Sequence, residues 1–362
     1  MDRGDVGPGG SRPMVVRVPV EPVEAAVEAD AVDAVARTAS VVVRGPLFGV
    51  AEQSAGDDPR WRVVVAVTDG CPQQARDGLN SRLWFRAKDD ARDRAERRAL
   101  LAAVARLESE RVDELEVAGT RYRVVRAEEY AGAGPDGIEQ PRPTDPDPLS
   151  PDWDRAAKGP GVDDDLLLDP DAPVTPTQAV ERLALRSLCY TGERFPEEVR
   201  TDAQRALDTH PDVLLLPPTF TVVEQGAARG WRPVSGPHAS AHEARRSLEF
   251  ALTWMWPRMH GHIPGDAGPQ ADARTWTAKD GASPAPRPAE LAAYAEAADT
   301  LRAGRVNHLE FQDTVYRIAR TRRLLRWGPD GPEGPRPSDT NSQDPARIHL
   351  PLDEDGRILP ED

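Results

Sequence analysis

Lysine is nearly absent from this chain: 3 residues stand against 43 arginines, and asparagine and isoleucine are also scarce. Alanine, aspartate and proline are abundant instead, the bias that a very GC-rich genome imposes through its codons. An arginine-rich segment therefore carries less functional weight here than in a chain of ordinary composition. Cysteine is scarce too. Cys71 and Cys189 alone make no disulfide framework and fit a reducing compartment. No run of about 18 apolar residues occurs, which predicts no membrane-spanning helix. The opening MDRGDVGPGGSRP lacks the apolar centre of a secretory signal, so a cytoplasmic location is expected. Positive charge is outweighed, and a formal net charge of −15 argues against wrapping a nucleic acid or an anionic membrane with the whole surface. Also missing are GxGxxG, GxxxxGK[ST] and GxSxG. No catalytic signature stands in their place.

What the chain does contain is a repeat. Residues 111–145 and 305–339 align without a gap at an offset of 194, and 17 of these 35 positions are identical, where chance gives roughly two or three. The shared residues include Tyr122/Tyr316, Arg123/Arg317 and Arg126/Arg320. Gly134-Pro135-Asp136-Gly137 matches Gly328-Pro329-Asp330-Gly331, Pro141-Arg142-Pro143 matches Pro335-Arg336-Pro337, and Asp145 matches Asp339. Upstream, Trp61-Arg62 corresponds to Trp231-Arg232, Phe48-x-Val50 to Phe220-x-Val222, and Ala87-Lys88-Asp89 to Ala278-Lys279-Asp280. The shifting offsets place about twenty extra residues in the second copy.

Each copy reads as strands, a helix and a β-hairpin. Residues 90–109 and 287–303 carry Ala and Leu at helical spacing, and the segments after them read as two short strands around a tight turn. The predicted fold is α+β, with two tandem, internally duplicated repeats joined by a Pro/Asp-rich linker and connecting helices. Residues 1–19 form a disordered tail, 20–145 the first repeat, 146–175 an extended, solvated acidic linker and 176–193 a connecting helix. Residues 194–339 form the second repeat, with an inserted helix over 240–256, and 340–362 a polar tail. Thr175 and Gln178 match a capping box, as do Ser240 and Glu243, and Pro257 is expected to stop the inserted helix.

Candidate chemistry is thin. His238 and His242 lie at one end of the inserted helix and His260 and His262 at the other, roughly 27 Å apart along a helical path. A shared metal site is not expected. Cys71, before Pro72 in an expected loop, and Cys189 have no histidine beside them in sequence. The repeated Gly-Pro-Asp-Gly-x-Glu-x-Pro-Arg-Pro-x-Asp segment is either a recognition loop presented twice or a rigid exit from the hairpin. In the second hairpin Arg317, Arg320, Arg322, Arg323 and Arg326 gather beside Trp327, followed by Asp330 and Arg336; the first copy has Glu128 and Glu129 in place of Arg322 and Arg323. Such a cluster can hold a phosphate or an acidic partner. A solvated strand face, or pairing with the acidic linker of the same chain, is the plainer account, favoured by the composition.

Three segments, TFTVVEQ (219–225), ARRSLEFALTWMWPRMHG (244–261) and TVYRIARTRRLLRWGPDGPEGPRPSD (314–339), resemble an uncharacterised actinobacterial family of unknown function, found in Streptomyces and relatives. The resemblance implies an actinobacterial host and carries no activity. The expected function is that of a non-catalytic, cytosolic binding or protein-interaction protein. It takes an unknown protein or a small acidic ligand, with no cofactor and no metal, through Arg317, Arg320, Arg322, Arg323, Arg326, Trp327, Asp330 and Arg336. Two alternatives stand beside it: an enzyme with its site near the inserted His/Trp helix, and phosphate or nucleic-acid binding by the arginine hairpin 317–326.

Overall fold

The computed structural model describes residues 12–54, 60–154, 156–225, 230–276 and 289–359. In the first half, helix α1 (Pro22–Arg37) leads into the long strand β1 (Ser40–Ser54), which pairs with β2 (Trp61–Asp69). Helix α2 (Pro72–Phe85) is extended by a π-helical turn at Arg86–Asp90. Asp93 caps α3 (Arg94–Leu107) by accepting the Glu96 N–H. Strands β3 (Glu114–Val117) and β4 (Thr120–Gly134) form a hairpin whose turn residues, Ala118 and Gly119, both have positive φ, 50° and 76°. That backbone matches the right-handed twist of the strands. The short β5 (Gly137–Ile138) folds back on the end of β4.

After β6 (Leu167–Leu168) and α4 (Pro176–Leu185), the second half runs through α5 (Glu197–Thr209), β7 (Asp212–Leu215), β8 (Thr219–Gln225) and β9 (Trp231–Pro233). Helix α6 (Ala241–Phe250) also passes into a π-helical turn, Ala251–Met255, and then into α7 (Trp256–Met259). Helix α8 (Ala289–Ala303), the hairpin β10 (His308–Phe311) and β11 (Thr314–Gly328), and β12 (Gly331–Pro332) complete it. Among the described residues the fold is α+β, with one curled antiparallel sheet in the order β6-β2-β1-β4-β11-β8-β9; β7 also pairs with β11.

Strand alternation divides the core. On one side of the sheet Phe48, Val50, Tyr122 and Val124 pack against Leu79, Leu83, Leu100 and Leu107 of α2 and α3. Phe220, Val222, Tyr316 and Ile318 pack in the same way against Leu248, Leu252, Leu291 and Leu301. On the opposite side, Leu47, Trp61, Val125, Leu214, Leu325 and Trp327 close a third cluster inside the curl.

The β4–β11 ladder is centred on Glu129 opposite Arg323, flanked by Tyr130–Arg322 and Glu128–Leu324. Glu129 and Arg323 are 194 residues apart, and the same offset carries each flanking pair into the other. Contacts between the halves come in reciprocal sets. Arg126 binds Asp339 at 2.9 Å, and Arg320 binds Asp145 at 2.9 Å. The Arg126 N–H donates to the Glu333 carbonyl and the Arg320 N–H to the Glu139 carbonyl. Arg123 donates to the Asp330 carbonyl and Arg317 to that of Asp136. Gly331, at φ +114°, sits so close to the Trp61 indole that a Cβ there would lie 2.9 Å from its nitrogen, and Gly137 (φ +100°) lies likewise against Trp231.

The straps that follow continue the exchange. Asp147 pairs with Arg245 of α6 at 3.0 Å, while Asn341 accepts from Arg76 of α2 at 3.2 Å. The C-terminal strap then lays His349 on the Trp84 ring, 4.6 Å between centroids, and the Leu350 carbonyl on its indole N–H. Residues 340–359 are thus a clasp rather than a loose tail.

Several expectations need correction. The helix over 240–256 is not an insertion peculiar to the second half, because α2 with its π-turn stands at the same point of the first. Polar residues on α2 (Gln73, Arg76, Asn80) hide its periodicity, yet they are buried. Cys71 is the N-cap position of α2, not part of a loop. The extra length of the second half lies beyond α7 instead. Pro257 does not end the helix, which runs to Met259: it occupies the first turn after the π-turn, where a missing N–H costs nothing. The connecting helix stops at Leu185. The linker is not solvated throughout, since the Asp163 side chain is 0% exposed and β6 adds to the sheet. Val16 of the expected disordered tail bridges Val174. The Ala278-Lys279-Asp280 match lies outside the described residues.

Candidate functional site

Alternation on β4 aims Arg126 and Glu128 to the same side of the sheet, close to the centre of the β4–β11 ladder. Both are buried, at 2% and 5% exposure. Arg126 donates to Glu128 at 2.5 Å and to Asp339 at 2.9 Å. Arg336 lies 3.6 Å from Glu128 and donates to Glu333 at 2.7 Å. The Tyr190 hydroxyl, from the segment after α4, donates to the second Glu128 oxygen at 2.5 Å. Burial alone would raise the Glu128 carboxyl, but Arg126, the Tyr190 hydroxyl and Arg336 more than offset it and hold it below its ordinary value. Burial, with Glu128 beside it, pushes the Tyr190 phenol up. The carboxylate is thus ionised and the phenol protonated, a locked donor–acceptor pair and not an acid–base pair poised near neutrality.

This network forms the floor of a cleft of about 550 Å³. Val41, Val43 and Arg44 of β1 line one wall, Leu188, Cys189, Thr191, Arg194 and Phe195 another, and Val199 and Ala203 of α5 a third, with the strap at 336–340 opposite. The Arg194 guanidinium stacks on the Phe195 ring at 4.6 Å. Arg44, with its side chain 41% exposed, donates to buried Glu129 at 2.8 Å.

Across the ladder the corresponding positions are occupied differently. Arg322 stands where Glu128 does, and Glu181 of α4 pairs with it while accepting the Tyr130 hydroxyl at 2.8 Å. One continuous segment, α4 and the residues after it, thus supplies Glu181 to one side and Tyr190 to the other. The chain belongs to a family of unknown function, DUF5954. The match to the family covers residues 21–342 and takes in both halves and every residue lining the cleft. No curated protein and no solved structure matches the chain.

The arginine set singled out from the sequence is dispersed in this family member. Arg323 is fully buried, bound to Asp163 at 2.8 Å and to the carbonyls of Val67 and Pro217. Arg326 donates to the carbonyls of Arg186 and Leu188, the latter at 2.6 Å, and so pins the segment that walls the cleft. Arg320 is held by Asp145, Arg322 by Glu181, and Trp327 is 3% exposed in the concave cluster. Arg317 lies over the Trp231 ring, and Asp330, at the surface, pairs with Arg121 and Arg123. Only Arg336 reaches the cleft. The hairpin's arginines point to carboxylates and carbonyls of the chain itself and present no common face to solvent.

The histidines do not converge either. His242 contacts the Asp152 carbonyl at 2.8 Å and meets Trp153 edge-on, while His260 contacts the Tyr294 hydroxyl at 2.6 Å. Burial lowers the His238 pKa. Among the described residues no group of three or more His, Cys, Asp or Glu could hold a metal ion, and no helix is long and apolar enough to cross a membrane. The cleft residues that sequence reasoning missed are Tyr190, Arg194, Arg126 and Glu128. Arg126 and Asp339 belong to the repeated set, which was a usable signal. Nothing in the sequence marks Tyr190.

Proposed function

We propose that this protein is a non-catalytic binding protein, built by tandem duplication of one α+β unit, whose ligand occupies the cleft between β1, α5 and the strap at 336–340. The observation that carries the reading is the cleft itself: about 550 Å³, with apolar lining from Val41, Val43, Leu188, Phe195 and Val199 beside convergent polar groups, a combination found at small-molecule sites. The reciprocal contacts and the 194-residue offset support the duplication, and the excess of Arg over Lys supports an actinobacterial origin. A thermal-shift screen of a metabolite library tests the reading, with wild type run beside Thr191→Trp, which places an indole at the exposed edge of the cleft. Compounds that stabilise wild type and not the variant are the expected result. A screen in which no compound distinguishes the two proteins removes the reading.

A second reading, docking of a protein partner, is supported by a different feature. Val18, Val20 and Val23 before and within α1, and Val180 on α4, are 68%, 81%, 77% and 62% exposed, and neighbouring segments bring them to one region. Exposed apolar groups of this kind mark interaction surfaces when they are contiguous. Asp at Val20 and Val23 should abolish a complex of defined stoichiometry seen with wild type in analytical ultracentrifugation of host extract fractions. A complex that survives both changes excludes this surface.

A further inference from the structure

We infer that the ligand of this cleft is an amphipathic organic anion, its acid group held at Arg194 and its hydrocarbon part lying against Val41, Val43 and Phe195. The inference rests on the cleft being a binding site and adds the chemistry of what it takes.

Charge decides the sign of the ligand. Arginines 44, 126, 194 and 336 line the cleft against two acids, Glu128 and Asp339, in a protein whose formal net charge is −15. The two acids are already satisfied. Arg126 holds both, and Tyr190 completes Glu128. No carboxylate lining the cleft is left to receive a cationic ligand. Glu193, Glu197 and Glu198 neighbour the mouth in sequence, but none lines the cleft.

The remaining positive charge sits at the rim. Arg194 has the face of Phe195 beneath it and no carboxylate partner among the described residues. A guanidinium stacked on a ring keeps its N–H edge available for a bidentate contact with a carboxylate. Arg44 contributes less, because its guanidinium is drawn to Glu129, which alternation sets on the other side of the sheet from Glu128. Thr191 and Ser338, also in the lining, add hydroxyl donors. Beside this rim Val41, Val43 and Phe195 supply an apolar part of the lining, next to the paired Arg126–Glu128 floor. A simple inorganic anion would leave that wall uncovered, and a neutral hydrocarbon would leave the arginines unused.

Isothermal titration of the full chain with octanoate and, separately, with octylammonium tests the assignment, using wild type, Arg194→Glu, Arg194→Lys and Thr191→Trp. All four proteins are checked for an unchanged circular dichroism spectrum, since Arg194 and Thr191 are both exposed. Octanoate is expected to bind wild type at millimolar concentration or below, about tenfold more weakly to Arg194→Glu, close to normally to Arg194→Lys, and not to Thr191→Trp. Octylammonium binding as well as octanoate, and blocked by Thr191→Trp, overturns the anion assignment while the cleft reading stands. Octanoate binding that ignores Thr191→Trp, or no octanoate binding at millimolar concentration, overturns the inference. If octylammonium also binds Thr191→Trp unchanged, the cleft reading falls with it.

Discussion

Glu129 and Arg323 face each other across the β4–β11 ladder, buried to 1% and 0% exposure, yet each is bonded to a residue from elsewhere: Glu129 to Arg44 and Arg323 to Asp163. If the two halves are copies, this is the one place where a residue meets its own counterpart. Two identical charges directly opposite would repel, whereas a single chain can set unlike residues there and supply each with its own partner. Asp163 is well suited to this, since its carboxylate also accepts the Val67 N–H at 3.0 Å.

The Arg323–Asp163 pair should therefore behave as a coupled unit. Arg323→Met leaves Asp163 charged and buried, at an expected cost of about 3–5 kcal/mol. Adding Asp163→Asn, which keeps an acceptor for Val67 and tolerates the positive φ of 61° at this position, should recover a large part of that loss. A double-mutant cycle by urea denaturation measures it. Strictly additive effects would show that the pair is not coupled.

A second prediction concerns the exchanged straps. Asp145 and Asp339 each leave one half to hold an arginine of the other, and each also accepts a backbone N–H, from Arg142 and Arg336, at 2.7 Å. Asp145→Ala and Asp339→Ala should each cost about 1.5–3 kcal/mol, the loss of a hydrogen bond between charged groups, since Arg126 keeps Glu128 and Arg320 keeps Glu139 at 3.7 Å. Unfolding followed by tryptophan fluorescence and by circular dichroism should remain one coincident transition in wild type and in both variants. Two separated transitions in wild type would show that the halves fold independently.

Much of this architecture was legible in the sequence, and the failures have physical causes. The hairpins and the Gly-Pro-Asp-Gly turn stood out because their geometry demands particular residues. Glycine at 137 and 331 is fixed by positive φ, and by the close approach of Arg317 and Trp231 at the first and of the Trp61 indole at the second. Helix α2 was invisible because Gln73, Arg76 and Asn80 are buried on it, Arg76 held by Asp113 and Asn341 and the Asn80 amide N–H donating to the Val104 carbonyl. A hydrophobicity pattern cannot register a polar face turned inward. The arginines at 320–326 read as a surface cluster because strand alternation does not show that β11 is the centre of a sheet covered on both sides. The cleft was out of reach, since it joins residues 41–44, 126–128, 188–203 and 336–340.

A third prediction follows from Asp69, at the end of β2. Burial, together with the neighbouring Asp77, pushes its carboxyl up to about 6. A carboxyl raised in the folded state contributes stability that is fully present below its unfolded value, about 3.9, and lost as pH rises through about 6. Asp69→Asn imitates the protonated form. It should match wild type at pH 4 and exceed it at pH 7.5 by about 1–2 kcal/mol, the full effect being reduced by solvent screening at a half-buried position. Urea midpoints at the two pH values provide the comparison. An equal gain at both would mean that titration of Asp69 is not the cause.

The last prediction concerns Tyr190, which links the cleft wall to its floor. Tyr190→Phe removes one hydrogen bond to an ionised, buried carboxylate, an expected loss of about 1.5–3 kcal/mol at pH 7. The sign of its pH dependence is opposite to that of Asp69. Against the pull of burial, Glu128 is held below its ordinary value by Arg126, Tyr190 and Arg336, so the stability it contributes is present above its unfolded value of about 4.3 and is lost as pH falls through the folded one. Without the phenol the folded value rises. The gap between wild type and variant should therefore be widest at neutral pH and narrow in acid, as Glu128 takes up its proton first in the variant and then in wild type. A loss of the same size at every pH would reduce Tyr190 to a packing residue, contacting Phe195 at 4.7 Å between ring centroids, with no hold on the charge beneath it.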